Sequence, residues 1–111
     1  MQSSMSVNGQ YGLRGRPPAV EPDAVFDVLA NRGCREIIQT VGDETLTAAE
    51  IGERIDAPMS SIYRHLEALT ETRILEESVR INPHGRNQNQ YSRRVSDVSI
   101  SIGDDFDVSL L

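Results

Sequence analysis

Thr47 and Glu50 stand three residues apart, with Leu46 just before the pair and Ile51 just after it. A Thr hydroxyl at a helix N-cap accepts from the amide three residues on, while Glu at that third position reaches back to the cap amide. Leu46 before the cap and Ile51 four residues after it add a hydrophobic staple. Two local devices agree on one helix start. They predict a helix within LTAAEIGERI, residues 46–55, with Ile51 and Ile55 facing a core at i, i+4.

Asp56, Ala57 and Pro58 stop that helix. Pro58 suits the first turn of the next, where its missing N–H and preset φ do no harm. Over residues 58–72, Ile62, Leu66 and Leu69 recur at i, i+4, i+7 as a buried stripe. Ser60, Ser61, Tyr63, Arg64 and Glu67 fall off the stripe, towards solvent or a ligand.

Upstream, Val25, Phe26, Leu29, Ile37, Ile38 and Val41 lie at helical spacings, interrupted by Asn31 and Gly33. Two short helices are expected, 23–30 and 32–41, with Asn31 capping the second and Gly42-Asp43 ending it. Residues 1–20 are rich in Gly, Ser, Pro and Gln and lack apolar periodicity, so they read as a mobile arm before a domain at 21–111. Within the arm, LRGRPP at 13–18 resembles the core of an AT-hook, with a plain linker as the alternative.

After Arg73 the period falls to two. ILEESVRI (74–81) and YSRRVSDVSISI (91–102) have strand composition, and PHGRNQNQ (83–90) has turn chemistry, so a hairpin with a long polar loop is expected. The tail GDDFDVSLL adds an acidic turn and one more short strand. The apolar alternations Val98, Ile100, Ile102 and Phe106, Val108, Leu110 either finish this sheet or pair between subunits.

Two helices across a short turn, then a β-hairpin, make a winged helix-turn-helix plan: α+β, mainly α, three to four helices plus a C-terminal hairpin wing. TAAEIGERIDAPMSSIYRHLEALTETRILE resembles the core of ArsR-like winged-helix transcription regulators. The likeness rests on Ala49, Ile51, Ser60, Ser61, Ile62, Tyr63, Arg64, His65, Leu66 and Leu69, and extends over about 23–94. It implies a DNA-binding regulator whose recognition helix is 58–72. Arg73 departs from the pattern, because those families carry Gly there; either Arg in a left-handed position costs roughly 1 kcal/mol, or the turn differs. Their metal sensors need ligand clusters, whereas Cys34, His65 and His84 are too few and too scattered. No metal or cofactor is expected.

The side chains then acquire roles. Arg64 can grip guanine through two hydrogen bonds, Ser60 and Ser61 can read base edges or phosphate, and Tyr63 can meet a phosphate or a thymine methyl. The helix start at Thr47 offers amides to a phosphate. Alternatively, Arg64 pairs with Glu67 or Glu71 on a solvated face. His65 reads as a packed histidine near the hairpin. Ser61 and His65 at i, i+4 lack an orienting acid or oxyanion hole, so no enzyme is expected.

Charge sharpens the expectation. Of 111 residues 17 are acidic, and all 11 basic ones are arginine, giving −6 overall. Acid excess without lysine resembles halophilic archaeal proteins. Yet residues 80–94 hold four arginines and no acid. A wing with Arg86 at its tip beside His84 and Asn87 suits the minor groove or its phosphates. Double-stranded DNA and a second copy of the chain are the expected partners, since one recognition helix reads few bases. Helix 23–30 and the tail 95–111 are the candidate dimer surfaces. No apolar run approaches membrane-spanning length and no secretory signal is visible, so the cytoplasm is the expected compartment. Two rivals remain: a winged-helix interaction module in a larger assembly, and a redox regulator using Cys34.

Overall fold

The computed structural model describes residues 20–111, so the arm and its LRGRPP tract lie outside the described residues apart from Val20. Helices α1 (Pro22–Ala30) and α2 (Arg32–Val41) meet at Asn31. Asn31 caps α2: its side-chain oxygen accepts the Cys34 amide at 3.0 Å. Arg35 reaches back from α2 to the Leu29 carbonyl, which ties the two helices together. Gly42 ends α2 at φ 54°, a conformation that costs an L side chain but not glycine.

The capping box forms as expected. Thr47 N donates to Glu50 Oε1 at 2.8 Å, and Glu50 N donates to Thr47 Oγ1 at 3.2 Å. The helix it opens, α3, runs Ala48–Arg54. Just before it lies a strand the sequence did not announce, β1 (Thr45–Thr47). Leu46 is both the staple residue and the strand partner of Tyr91. Three residues carry no period of their own, so only pairing makes this segment a strand.

Helix α4 (Met59–Glu71) starts one residue later than expected, because Pro58 is its N-cap with an extended ψ of 144°. Ile62, Leu66 and Leu69 are buried, as the stripe required. The end of α4 is a full Schellman motif: Arg73 N donates to Thr70 O and Ile74 N to Leu69 O. Arg73 sits left-handed at φ 67°, so the turn keeps the geometry that glycine would serve and bears the strain. Buried Leu69 and Ile74 make the apolar pair that accompanies this motif.

Strands β2 (Leu75–Arg80) and β3 (Gln88–Arg93) form the wing hairpin, and β1 pairs on the other side of β3, giving an antiparallel sheet in the order β1-β3-β2. The long strand expected over 91–102 is instead two. Arg94 N still donates to Ile74 O, but the chain then leaves the sheet at Val95, which packs on the core. Residues Val98–Ile102 become β4 and Phe106–Leu110 become β5, a separate two-stranded ribbon. Its register sets Val98 opposite Leu110, Ile100 opposite Val108 and Ile102 opposite Phe106. Directly paired residues share a face, so all six apolar side chains line one side. The tail therefore pairs with itself rather than finishing the wing sheet. The architecture is a winged helix-turn-helix, with four helices among the described residues. No helix among the described residues is long and apolar enough to cross a membrane.

Candidate nucleic-acid interface

The stripe that buries α4 fixes what it displays. Ser60, Tyr63, Arg64 and Glu67 are exposed on the opposite side, and Tyr63 is 55% accessible. Ser61 is half-buried at the boundary. Arg64 forms no salt bridge among the described residues, so the pairing with Glu67 or Glu71 does not occur. Its charge is felt below: burial pushes the Cys34 thiol upward, and Arg64 partly opposes that push. Cys34 is 2% accessible with a raised pKa, the reverse of a reactive thiolate.

His65 is packed against α2. Its ring lies over Gly33 at the start of α2. The i, i+4 stripe turns this flank of α4 towards α2, which a reading of α4 alone does not reveal.

Thr47 is buried, and its hydroxyl is engaged in the capping box. Beside it the start of α3, Tyr63 of α4 and the first residues of β3 enclose a cleft of about 200 Å³, lined also by Ala48, Ala49, Gln88, Asn89 and Tyr91. The cleft joins three parts that lie apart in the sequence: the start of α3, α4 and the wing. By their turn chemistry the sequence puts Gln88 and Asn89 in the loop. Strand pairing with Arg80 and Val79 brings them here, a long-range fact without a local signal.

The wing loop, residues 81–87, closes on itself. Asn82 N donates to Asn87 Oδ1, His84 N donates to Asn82 Oδ1, and Gly85 N donates to Asn82 O. Asn87 thus uses its carbonyl to shape the loop. His84 and Arg86 are exposed on it.

The acid-free segment is less free than it reads. Arg80 pairs with Glu50, Arg93 with Asp43 and Arg94 with Glu76. Arg86 alone among its four arginines lacks a carboxylate partner within the described residues. The acids that neutralise the others lie elsewhere in the chain, so local charge counting cannot see them. The first of these pairs, Arg80 with Glu50, and one between Tyr91 and Glu77 shift the groups they hold. Hydrogen bonds from the Arg80 guanidinium, then from the Thr47 amide, hold the Glu50 carboxyl down to about 2. Burial, then its hydrogen bond to Glu77, pushes Tyr91 up to about 12. Among the described residues no three His, Cys, Asp or Glu side chains gather as a metal site.

Residues 29–78, just under half the chain, match the family model of a helix-turn-helix domain. The match spans α2, β1, α3 and α4 and ends within β2. No curated protein matches the chain.

Proposed function

We propose that the protein is a sequence-specific, DNA-binding transcription regulator. The observation that carries this reading is Arg64, exposed and without an acid partner among the described residues, between Ser60 and Tyr63 on the solvent side of α4. In this reading α4 enters the major groove, and Arg64 reads a guanine while Ser60, Ser61 and Tyr63 contact neighbouring edges or phosphates. Arg86 and His84 reach the minor groove or its phosphates, with Asn87 holding the loop that carries them. At Thr47 both the amide and the hydroxyl are taken by the capping box, so the helix start offers DNA the next amides, of Ala48 and Ala49. The helix-turn-helix match supports the reading; the pattern of α3 and α4 favours an ArsR-like regulator, and the lysine-free, acidic composition favours a haloarchaeal source. No catalysis and no cofactor enter it.

The regulator acts as a homodimer on twofold-related half-sites. We assign the contact to the apolar side of the β4–β5 ribbon. Val108 is buried against the body, but Ile100, Ile102 and Phe106 stay largely exposed. The exposed turn end of this face pairs with its own copy. Three side chains cover roughly half of the ~800 Å² per partner that a standard interface buries, so DNA completes the association by holding two copies side by side. The exposed ribbon also favours the second reading, a docking module that never touches DNA.

Fluorescence-anisotropy titration against DNA from the upstream region of the gene, in high-potassium buffer, separates these readings. Arg64→Ala should abolish preference over random competitor, and Arg86→Ala should weaken all sequences alike. A folded wild type that binds no DNA across salt and across selected sequences overturns the regulator and leaves the docking module.

A further inference from the structure

Arg80 is the last residue of β2, at the root of the wing loop, yet its side chain turns away from the loop. Nε donates to Gln90 Oε1 at 2.9 Å, which spans the hairpin. Nη1 donates to Glu50 Oε2 at 3.1 Å, and Nη2 donates to Glu50 Oε1 and to the Thr45 carbonyl, both at 3.2 Å. One guanidinium therefore joins both wing strands to β1 and to the first turn of α3. Glu50 is shared, because its Oε1 also accepts the Thr47 amide that caps α3. Helix α3 in turn packs against α4. A continuous set of directed bonds runs from the base of the wing to the helix pair that carries the reading face.

We infer that Arg80 and Glu50 form a clamp that sets the angle of the wing against α4, so that Arg86 and Arg64 engage one duplex together. Arg80 is thus a positioning residue rather than a phosphate contact, and this rests on the DNA-binding reading above. Only the planar fork of Arg supplies this set of bonds; Lys keeps the charge but offers a single point donor. Arg93 and Arg94 cannot substitute. Arg93 is held by Asp43 and Arg94 by Glu76, at the other end of the sheet from the loop.

The test is a cycle of full-length proteins in the same DNA titration. Glu50→Gln with Arg80→Gln removes the clamp without changing net charge, and Gln at the third helix position keeps the capping box. Arg86→Ala is then measured in the wild-type and unclamped backgrounds, with circular dichroism confirming the fold. In the wild type Arg86→Ala should weaken binding about ten-fold and lower the salt slope by about 0.9. In the unclamped background the same change should cost under about two-fold, since a loosely held Arg86 contributes little. Arg80→Lys, which retains charge, should also shrink the Arg86 effect. An equal Arg86 effect in all backgrounds overturns the clamp. So does a further fall in slope when Arg80→Gln is added to Arg86→Ala with Glu50→Gln present, because Arg80 would then be touching phosphate itself. Absence of wild-type binding overturns the regulator reading instead, so the two failures are distinct.

Discussion

The His65 ring lies so close over Gly33 that a Cβ built there falls 2.6 Å from His65 Nε2 and 2.9 Å from Cδ2. The glycine is what lets α4 settle onto the start of α2. Alanine there would gain up to about 1 kcal/mol in helix propensity, but the overpacking costs about 1–3 kcal/mol. Gly33→Ala should therefore destabilise the fold in urea titration, by about 1 kcal/mol net. Gly33→Ala combined with His65→Ala should recover the loss, since the ring that clashes is gone. Equal stability of Gly33→Ala and wild type would show that His65 swings aside freely.

Arg73 makes the opposite prediction. Its φ of 67° closes the Schellman turn after α4. The strain costs about 1–2 kcal/mol for an L side chain, and the greater freedom of glycine in the unfolded chain returns about 0.4–1 kcal/mol of it. Arg73→Gly should stabilise by roughly 0.5–1 kcal/mol, read as a higher denaturation midpoint with unchanged slope. A lower midpoint would mean that the Arg73 side chain contributes packing or charge that outweighs the turn.

Two groups give stability a pH dependence of known sign. Glu50 titrates near 2 in the fold, against about 4.3 in an unfolded chain. A depressed carboxylate stabilises above the unfolded value, and that stability drains away as pH falls from about 5 to 2. Tyr91 titrates near 12, against about 10 unfolded. Its contribution is full below pH 10 and is lost as pH climbs from 10 to 12. Chemical denaturation across pH should show Glu50→Gln flattening the acid limb and Tyr91→Phe the alkaline limb. If each variant keeps the wild-type limb, those carboxylate and phenol contacts do not govern it.

Self-association and DNA binding should respond to salt in opposite directions. In the proposed ribbon-to-ribbon dimer, Asp104 and Asp105 at the ribbon turn and Asp97 at its base would add like charges on both copies, so added salt should screen repulsion and tighten the association. DNA affinity falls as salt rises. Sedimentation velocity over a concentration series should show a weak dimer that Ile102→Ser with Phe106→Ser abolishes. A species unaffected by that pair, or weakened by salt, would remove the ribbon as the contact.

The local sequence determined a good deal. The capping box at Thr47 and Glu50, the Asn31 cap and the stripe Ile62-Leu66-Leu69 are all short-range signals, and each is realised; at Arg73 the sequence left the turn open, and the structure keeps it left-handed. Helix starts, stops and faces depend on neighbours within about four residues, so one chain of letters suffices for them. The exposed side of α4 followed from its buried side. What only the tertiary structure decided is everything set by pairing at a distance. Whether Leu46 is a strand residue depends on Tyr91, forty-five positions on. Residues 91–102 could not be divided without knowing that Val95 packs on the core and that Leu111 bonds back to Asp97. The wing arginines read as free cations because Asp43, Glu50 and Glu76 lie far off in sequence, and the fold alone brings charge to countercharge. Periodicity reports which side of an element faces inward; it carries no record of which partner waits there.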